Sequence, residues 1–200
     1  YSLASIFAAF EAMQKIYDAL AEDLQANRLK QETIIKQKEI IEKQLIQIKN
    51  YVIEKLYDET KKSFVRNLDD RRLDISILGV TIPFRMFSPN EKKITNTIER
   101  INLNLRTYTS GYLRFENDHY TEDRPWVVAT LWMALYYIET KDYKKAKECF
   151  DFVVATSTKH GFLAEQVDNH QMKSAWVIGL GWSHAMFIIV LDELMKLNLI

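Results

Sequence analysis

At 200 residues and 48% hydrophobic content, the chain can bury a sizeable core as one domain or two small ones. Its 27 acidic residues balance 27 basic ones, which leaves no excess of positive charge to point to nucleic acid. No apolar run reaches the roughly 18 residues of a membrane-spanning helix, and the lone cysteine, Cys149, excludes an intramolecular disulfide.

Five glycines and three prolines fall well below the usual share of each, as long uninterrupted helices require. Residues 3–24 place Ile6, Phe7, Phe10, Met13, Tyr17 and Leu20 on one broad apolar helix face. Asn27 is a candidate break, and a second, very long helix is expected from Leu29 to about Leu68. Its stripe is Ile34, Ile41, Leu45, Ile48, Val52 and Leu56, with Lys, Glu and Gln on the other faces. Lys38 and Lys55 fall on seam positions, while Ile35, Ile40, Ile46 and Ile53 widen the apolar arc. This pattern favours packing on a globular neighbour over a coiled-coil dimer.

LDISILGVTIPF is an apolar segment ended by Pro83. Ser88-Pro89-Asn90-Glu91 then signals a helix start, with Ser88 as N-cap and Glu91 reaching back to it; that helix is expected to run to about Arg106. A polar loop covers 107–124, and Pro125 and Trp126 open the next helix. Another helix is expected over about Tyr143–Lys159 with Gly161 as C-cap, and a last one over roughly Trp176–Leu197. The sum is an all-α chain of about seven helices, with no convincing strand.

Two of the loops are more than connectors. TYTSGYLRFENDHYTEDRP carries four aromatics, two arginines and four acids, and GFLAEQVD places Glu165 between an apolar pair and an amide. Sugars stack their apolar faces on aromatic rings and offer hydroxyls to guanidinium and carboxylate groups. Solvated surface loops would show the same composition, so these loops alone leave both readings open.

A resemblance separates them. RFENDHYTEDRPWVVATLWMALYYIETKDYKKAKECFDFV, then HGFLAEQVD, then SAWVIGLGWSHAMF, resembles the C-terminal half of glycoside hydrolase family 15, which includes glucoamylases, glucodextranases and some trehalases. Upstream, LYDETKKSFVRNL and LDISILGV are also similar, so the likeness spans essentially the whole chain. It implies a partial (α/α)6 toroid, an incomplete ring of helical hairpins, with residues 1–200 as the C-terminal portion of the catalytic domain. It further implies an inverting hydrolase that releases glucose from α-linked glucans or from maltose- or trehalose-like oligosaccharides.

Carried over residue by residue, the resemblance makes Glu165 the general base, Gln166 a residue that lines the pocket and helps hold the water, and Ser183 a residue that hydrogen-bonds the base. Arg114 would grip hydroxyls of the sugar being released, with Tyr120 and Trp126 as pocket walls; Trp126 reads equally well as core packing. Trp132, Trp182 and His184 read as structural. No metal or other cofactor is expected. The family's general acid belongs to a Trp-Glu-Glu motif absent from these residues, so the chain would hold only the base half of the site. Gly179 and Gly181 replace a proline and a threonine common in bacterial relatives, which would loosen the hold on Ser183.

The first residue is not methionine and the sequence opens directly in helical pattern, so the start reads as a cut; a cytoplasmic rather than secreted location is expected. The expected partners are the sugar substrate and a missing N-terminal half, or self-association through an exposed edge, with neither nucleic acid nor membrane. The alternatives are an inactive pseudo-enzyme and a non-catalytic tetratricopeptide-like module. YYIETKDYKKAKECFDFVVAT resembles one hairpin of the latter repeat, with Ala146 and Phe150 suitably placed, but no second copy follows.

Overall fold

A computed structural model describes residues 1–23, 28–120 and 123–200; Asn27 lies outside the described residues. The fold is all-α, and six α-helices and one 3-10 helix are described. Helices α1 (Ser2–Asp23) and α2 (Arg28–Leu56) pack along each other, tied by an ion pair between Lys38 and Asp18. The long stripe of α2 is the inner face: Ile34, Ile41 and Val52 are buried, while Ile35, Ile40 and Ile46 remain exposed. α2 therefore packs on a neighbour, as its wide arc suggests.

It ends earlier than its periodicity predicts. Tyr57–Asp58 (β1) pairs antiparallel with Ser63–Phe64 (β2), and the Asp58 carboxylate accepts from the backbone N–H of Thr60 and Lys61, both at 3.0 Å. An acid that closes its own turn stops a helix, because it offers the backbone a local alternative to the next helical bond. The apolar segment before Pro83 is the 3-10 helix Ile75–Val80, with Asp74 as N-cap accepting from Ser76 N at 2.8 Å.

The cap reading at Ser88 holds in chemistry but not in position. Glu91 Oε1 accepts from Ser88 N at 2.9 Å, yet the helix proper, α3, is Lys92–Asn104, and the cap residues form a turn ahead of it. Ile94, Ile98 and Ile101, four and three residues apart, are its buried stripe.

Helix α4 (Val127–Glu139) is apolar on nearly every side because it is wrapped, with α5 (Tyr143–Ala155) and α6 (Gly181–Lys196) packed against it. Asp142 caps α5 by accepting from Lys145 N at 3.3 Å, and Ala146 and Phe150 are buried. Cys149 is buried too, its thiol pushed up to about 12 by burial, as befits a packing residue. No helix among the described residues is long and apolar enough to cross a membrane.

The strand-free expectation is corrected between α5 and α6. Ala164–Asp168 (β3) pairs antiparallel with Lys173–Ile178 (β4). Asp168 closes the hairpin by accepting from the N–H of His170 and Gln171, both at 2.9 Å, and those donors hold its carboxyl below the usual range. Trp176–Ile178, read as the start of the last helix, belong to β4 instead. Gly179, with φ at +78°, turns the chain before α6 begins, and Gly161, also at +78°, lies in a turn beyond the end of α5 rather than at its cap.

Candidate active site

Backbone pairing assembles one end of the helix array. Arg106 bridges Tyr112, Tyr112 bridges Trp126, and Trp126 bridges Gln166, so four separate backbone segments lie side by side. Trp126 N donates to Tyr112 O at 2.8 Å, and Val167 N donates to Pro125 O at 3.0 Å. Gly111 permits the approach, since a Cβ there would stand 2.6 Å from both Pro125 and Phe152 side-chain carbons. Tyr112 pins the row from below: fully buried, it donates to Asn102 Oδ1 at 2.6 Å and meets the Tyr137 hydroxyl at 3.1 Å. Ile75 N donates to Arg114 O at 2.8 Å, which fixes the Arg114 backbone against the 3-10 helix.

Arg114 is gripped by Asp118, which accepts from Nε at 2.6 Å and from a terminal nitrogen at 2.8 Å. Asp118 is buried, so this fork is charge-assisted and partly shielded from water. The guanidinium carbon lies 4.9 Å from the Trp126 ring centre and 5.4 Å from that of Tyr120. Asp118 also accepts from Tyr120 N at 3.2 Å, so one carboxylate sets both the arginine and the tyrosine. Three of the sequence-derived residues, Arg114, Tyr120 and Trp126, thus share one cluster.

Glu165 and Gln166 sit on β3 rather than in a loop, and Gln166 is the residue paired with Trp126. Strand alternation gives these two side chains opposite faces; Gln166 is fully buried and Glu165 half-buried. Trp126 Nε1, Glu165 Oε2 and both polar side-chain atoms of Gln166 are buried without a hydrogen-bond partner. They make up four of the seven such atoms found among the described residues. Buried polar groups are ordinarily paired, and these four atoms belong to adjacent residues of β3 and to the tryptophan that β3 bridges.

Ser183 is fully buried at the start of α6 and donates to Ala164 O at 2.8 Å. The expected bond from Ser183 to the Glu165 carboxylate is replaced by one to the backbone of the residue before it. Ser183 therefore holds the strand that carries Glu165, and the neighbouring glycines have not freed it. His184 Nε2 accepts from Leu163 N at 3.1 Å, a structural role. Replacing Ser183 by alanine is expected to cost about 1–3 kcal/mol through the lost buried bond. A denaturation midpoint would read this loss.

Sequence reading missed two members of this constellation. Asp118 stands four residues after Arg114, a spacing open to inspection but meaningful only once the loop's turn is known. Trp176 falls where the sequence pattern predicts the last helix, whereas it belongs to β4. Ala164 pairs with Ile178 and Gln166 with Ala175, so Trp176 and Val177 together face the single residue Glu165, a β-bulge. Trp176 has φ at 62°, a left-handed conformation that costs a bulky residue on the order of 1–3 kcal/mol. Its indole N–H donates to the Tyr120 hydroxyl at 2.8 Å, with the rings edge to face at 5.5 Å. Among the described residues no cluster of three or more metal-ligating side chains occurs.

An all-α scaffold that gathers a carboxylate, a clamped arginine and exposed aromatics at one end has the makings of a carbohydrate-acting protein. Residues 2–192 match the family described as glycosyl hydrolases family 15, and the chain belongs to that family. An uncharacterized glycosyl hydrolase of Methanocaldococcus jannaschii is 29% identical over 161 residues, covering 73% of this chain and 26% of that protein. Trehalase 2 of Sulfolobus acidocaldarius is 29% identical over 107 residues, covering 52% of this chain and 18% of its own. Among solved structures, a glycosidase variant in complex with glucose superposes with a TM-score of 0.74 at 18% identity, over 96% of this chain and 51% of that one. The chain thus spans about a quarter or less of these curated relatives and about half of that solved chain.

Proposed function

We propose that residues 1–200 carry the base half of an inverting α-glucosidase site, as the C-terminal portion of its catalytic domain, and that the substrate is a small α-glucoside of trehalose or maltose type or the end of an α-glucan. The observation that carries this reading is an arginine held by Asp118 against the Tyr120 and Trp126 rings, with Trp126 bridged by its backbone to Gln166, the neighbour of Glu165. Arg114 spends two of its five N–H groups on Asp118, which leaves the rest of its planar fork for sugar hydroxyls. Glu165 takes a proton from the water that attacks the anomeric carbon. An acid outside these residues, about 6.5–9.5 Å from Glu165, protonates the departing oxygen. Gln166 offers its amide from the inner side of the same strand, where an ordered water would meet it.

Trehalose is the favoured test substrate because it joins two glucose units through both anomeric carbons. Inversion then releases one β-glucose and one α-glucose per bond cleaved, whereas retention gives α-glucose alone. Early proton NMR spectra of trehalose treated with the protein at its full natural length are expected to show both anomers in equal amounts. Spectra showing only the α anomer would refute the inverting mechanism.

A further inference from the structure

We propose that Trp176 forms, with Tyr120, an aromatic corner that seats the glucosyl unit under attack, making Trp176 a substrate-binding and specificity-determining residue. The inference rests on the reading of Glu165 as base. Tryptophan is ordinarily well buried, and left-handed backbone is ordinarily left to small residues. Trp176 violates both habits, with 55% of the residue exposed at a φ of 62°. What the bulge achieves is aim: the extra residue in β4 carries the indole to Tyr120, itself 53% exposed, and the two rings meet at an interplanar angle of 79°. Two rings nearly at right angles present a face and a wall, the shape against which a flat sugar ring lies.

The hydrogen bond between them adds direction. An indole N–H can only donate, so the Tyr120 oxygen is the acceptor and its own proton is left to donate elsewhere, to a sugar hydroxyl. The Arg114 guanidinium lies over the Tyr120 ring, 5.4 Å from its centre. In inverting hydrolysis the base stands across the anomeric carbon from the leaving group. Trp176 faces Glu165 across the hairpin, so it contacts the unit that carries the attacked carbon and not the unit that departs.

Calorimetric titration with glucose tests this in the protein at its full natural length carrying Glu165→Gln, where binding is read without turnover. Adding Trp176→Gly is expected to weaken glucose binding roughly five- to tenfold. The thermal midpoint should hold level or rise, because glycine relieves the left-handed backbone. With Glu165 intact, Trp176→Gly should raise KM by a similar factor for trehalose and for maltose, which share the glucosyl unit. Tyr120→Phe keeps the ring but removes the hydroxyl that receives the indole, and should weaken glucose binding about twofold or more without moving the midpoint; it carries the test should the glycine variant not fold. Unchanged glucose affinity in a folded variant overturns the proposal, and so does a KM effect confined to one disaccharide. If Glu165→Gln leaves turnover unaltered, the base assignment falls instead, and the glucose titration still decides Trp176 by itself.

Discussion

Glu165→Gln, made in the protein at its full natural length, is expected to lower kcat by about 10²–10⁴-fold while leaving KM and the thermal midpoint nearly unchanged. The amide has almost the shape of the carboxylate but cannot take up the proton of the attacking water. Stability should survive because Glu165 Oε2 has no hydrogen-bond partner to lose and β3 is held by its backbone bonds and by Ser183. Azide offers a second readout. It attacks the anomeric carbon without needing a base, while the general acid still protonates the departing oxygen, so the variant should form β-glucosyl azide and recover part of its rate. A variant that hydrolyses trehalose as fast as the unaltered protein would refute the assignment of Glu165.

Residues 1–200 expressed alone are expected to hydrolyse trehalose or maltose at a negligible rate. Loss of an acid–base participant costs about 10²–10⁴-fold, and loss of the opposite pocket wall removes orientation as well. The same polypeptide leaves large side chains uncovered: Ile6, Met13 and Ile16 on α1, and Trp182, Ile188 and Met195 on α6 are each at least 40% exposed. Apolar surface on this scale favours association. Size-exclusion chromatography is expected to show oligomers, and an acid-bearing N-terminal half supplied in trans should both shift the elution and restore hydrolysis. Enzyme-like rates from residues 1–200 alone would overturn the half-site reading.

Helices α3, α4 and α5 were legible in the sequence because helical periodicity is a local property: Ile94, Ile98 and Ile101 line up whatever surrounds them. The family resemblance was legible for a related reason, since its motifs are short runs in fixed order. The β3–β4 hairpin was not. The hairpin gains its place from the bridge between Gln166 and Trp126, 40 residues upstream, and no neighbouring residue announces it. Hence Glu165 was placed in a loop and Trp176 in a helix. The partner of Ser183 was misread on the same account. The family resemblance implies a bond to the carboxylate, but the depth of Ser183 at the start of α6 brings the Ala164 carbonyl to the hydroxyl. Residue identity reveals which chemistry is at hand, whereas a bulge or a bridge is decided by segments far apart in the chain.

The row of backbone bridges from Arg106 through Tyr112 and Trp126 to Gln166 bears on how such a site can change over time. Main-chain bonds join any residues other than proline, so, given Gly111 and Tyr112 beneath it, the spacing between the arginine loop, the start of α4 and the strand bearing Glu165 does not depend on the exposed aromatics. A lineage could exchange the aromatics at the rim, and with them the sugar it prefers, without shifting the carboxylate. On the proposed function, the place of the base rests on peptide groups and the taste for substrate on side chains, so selection can revise one without erasing the other.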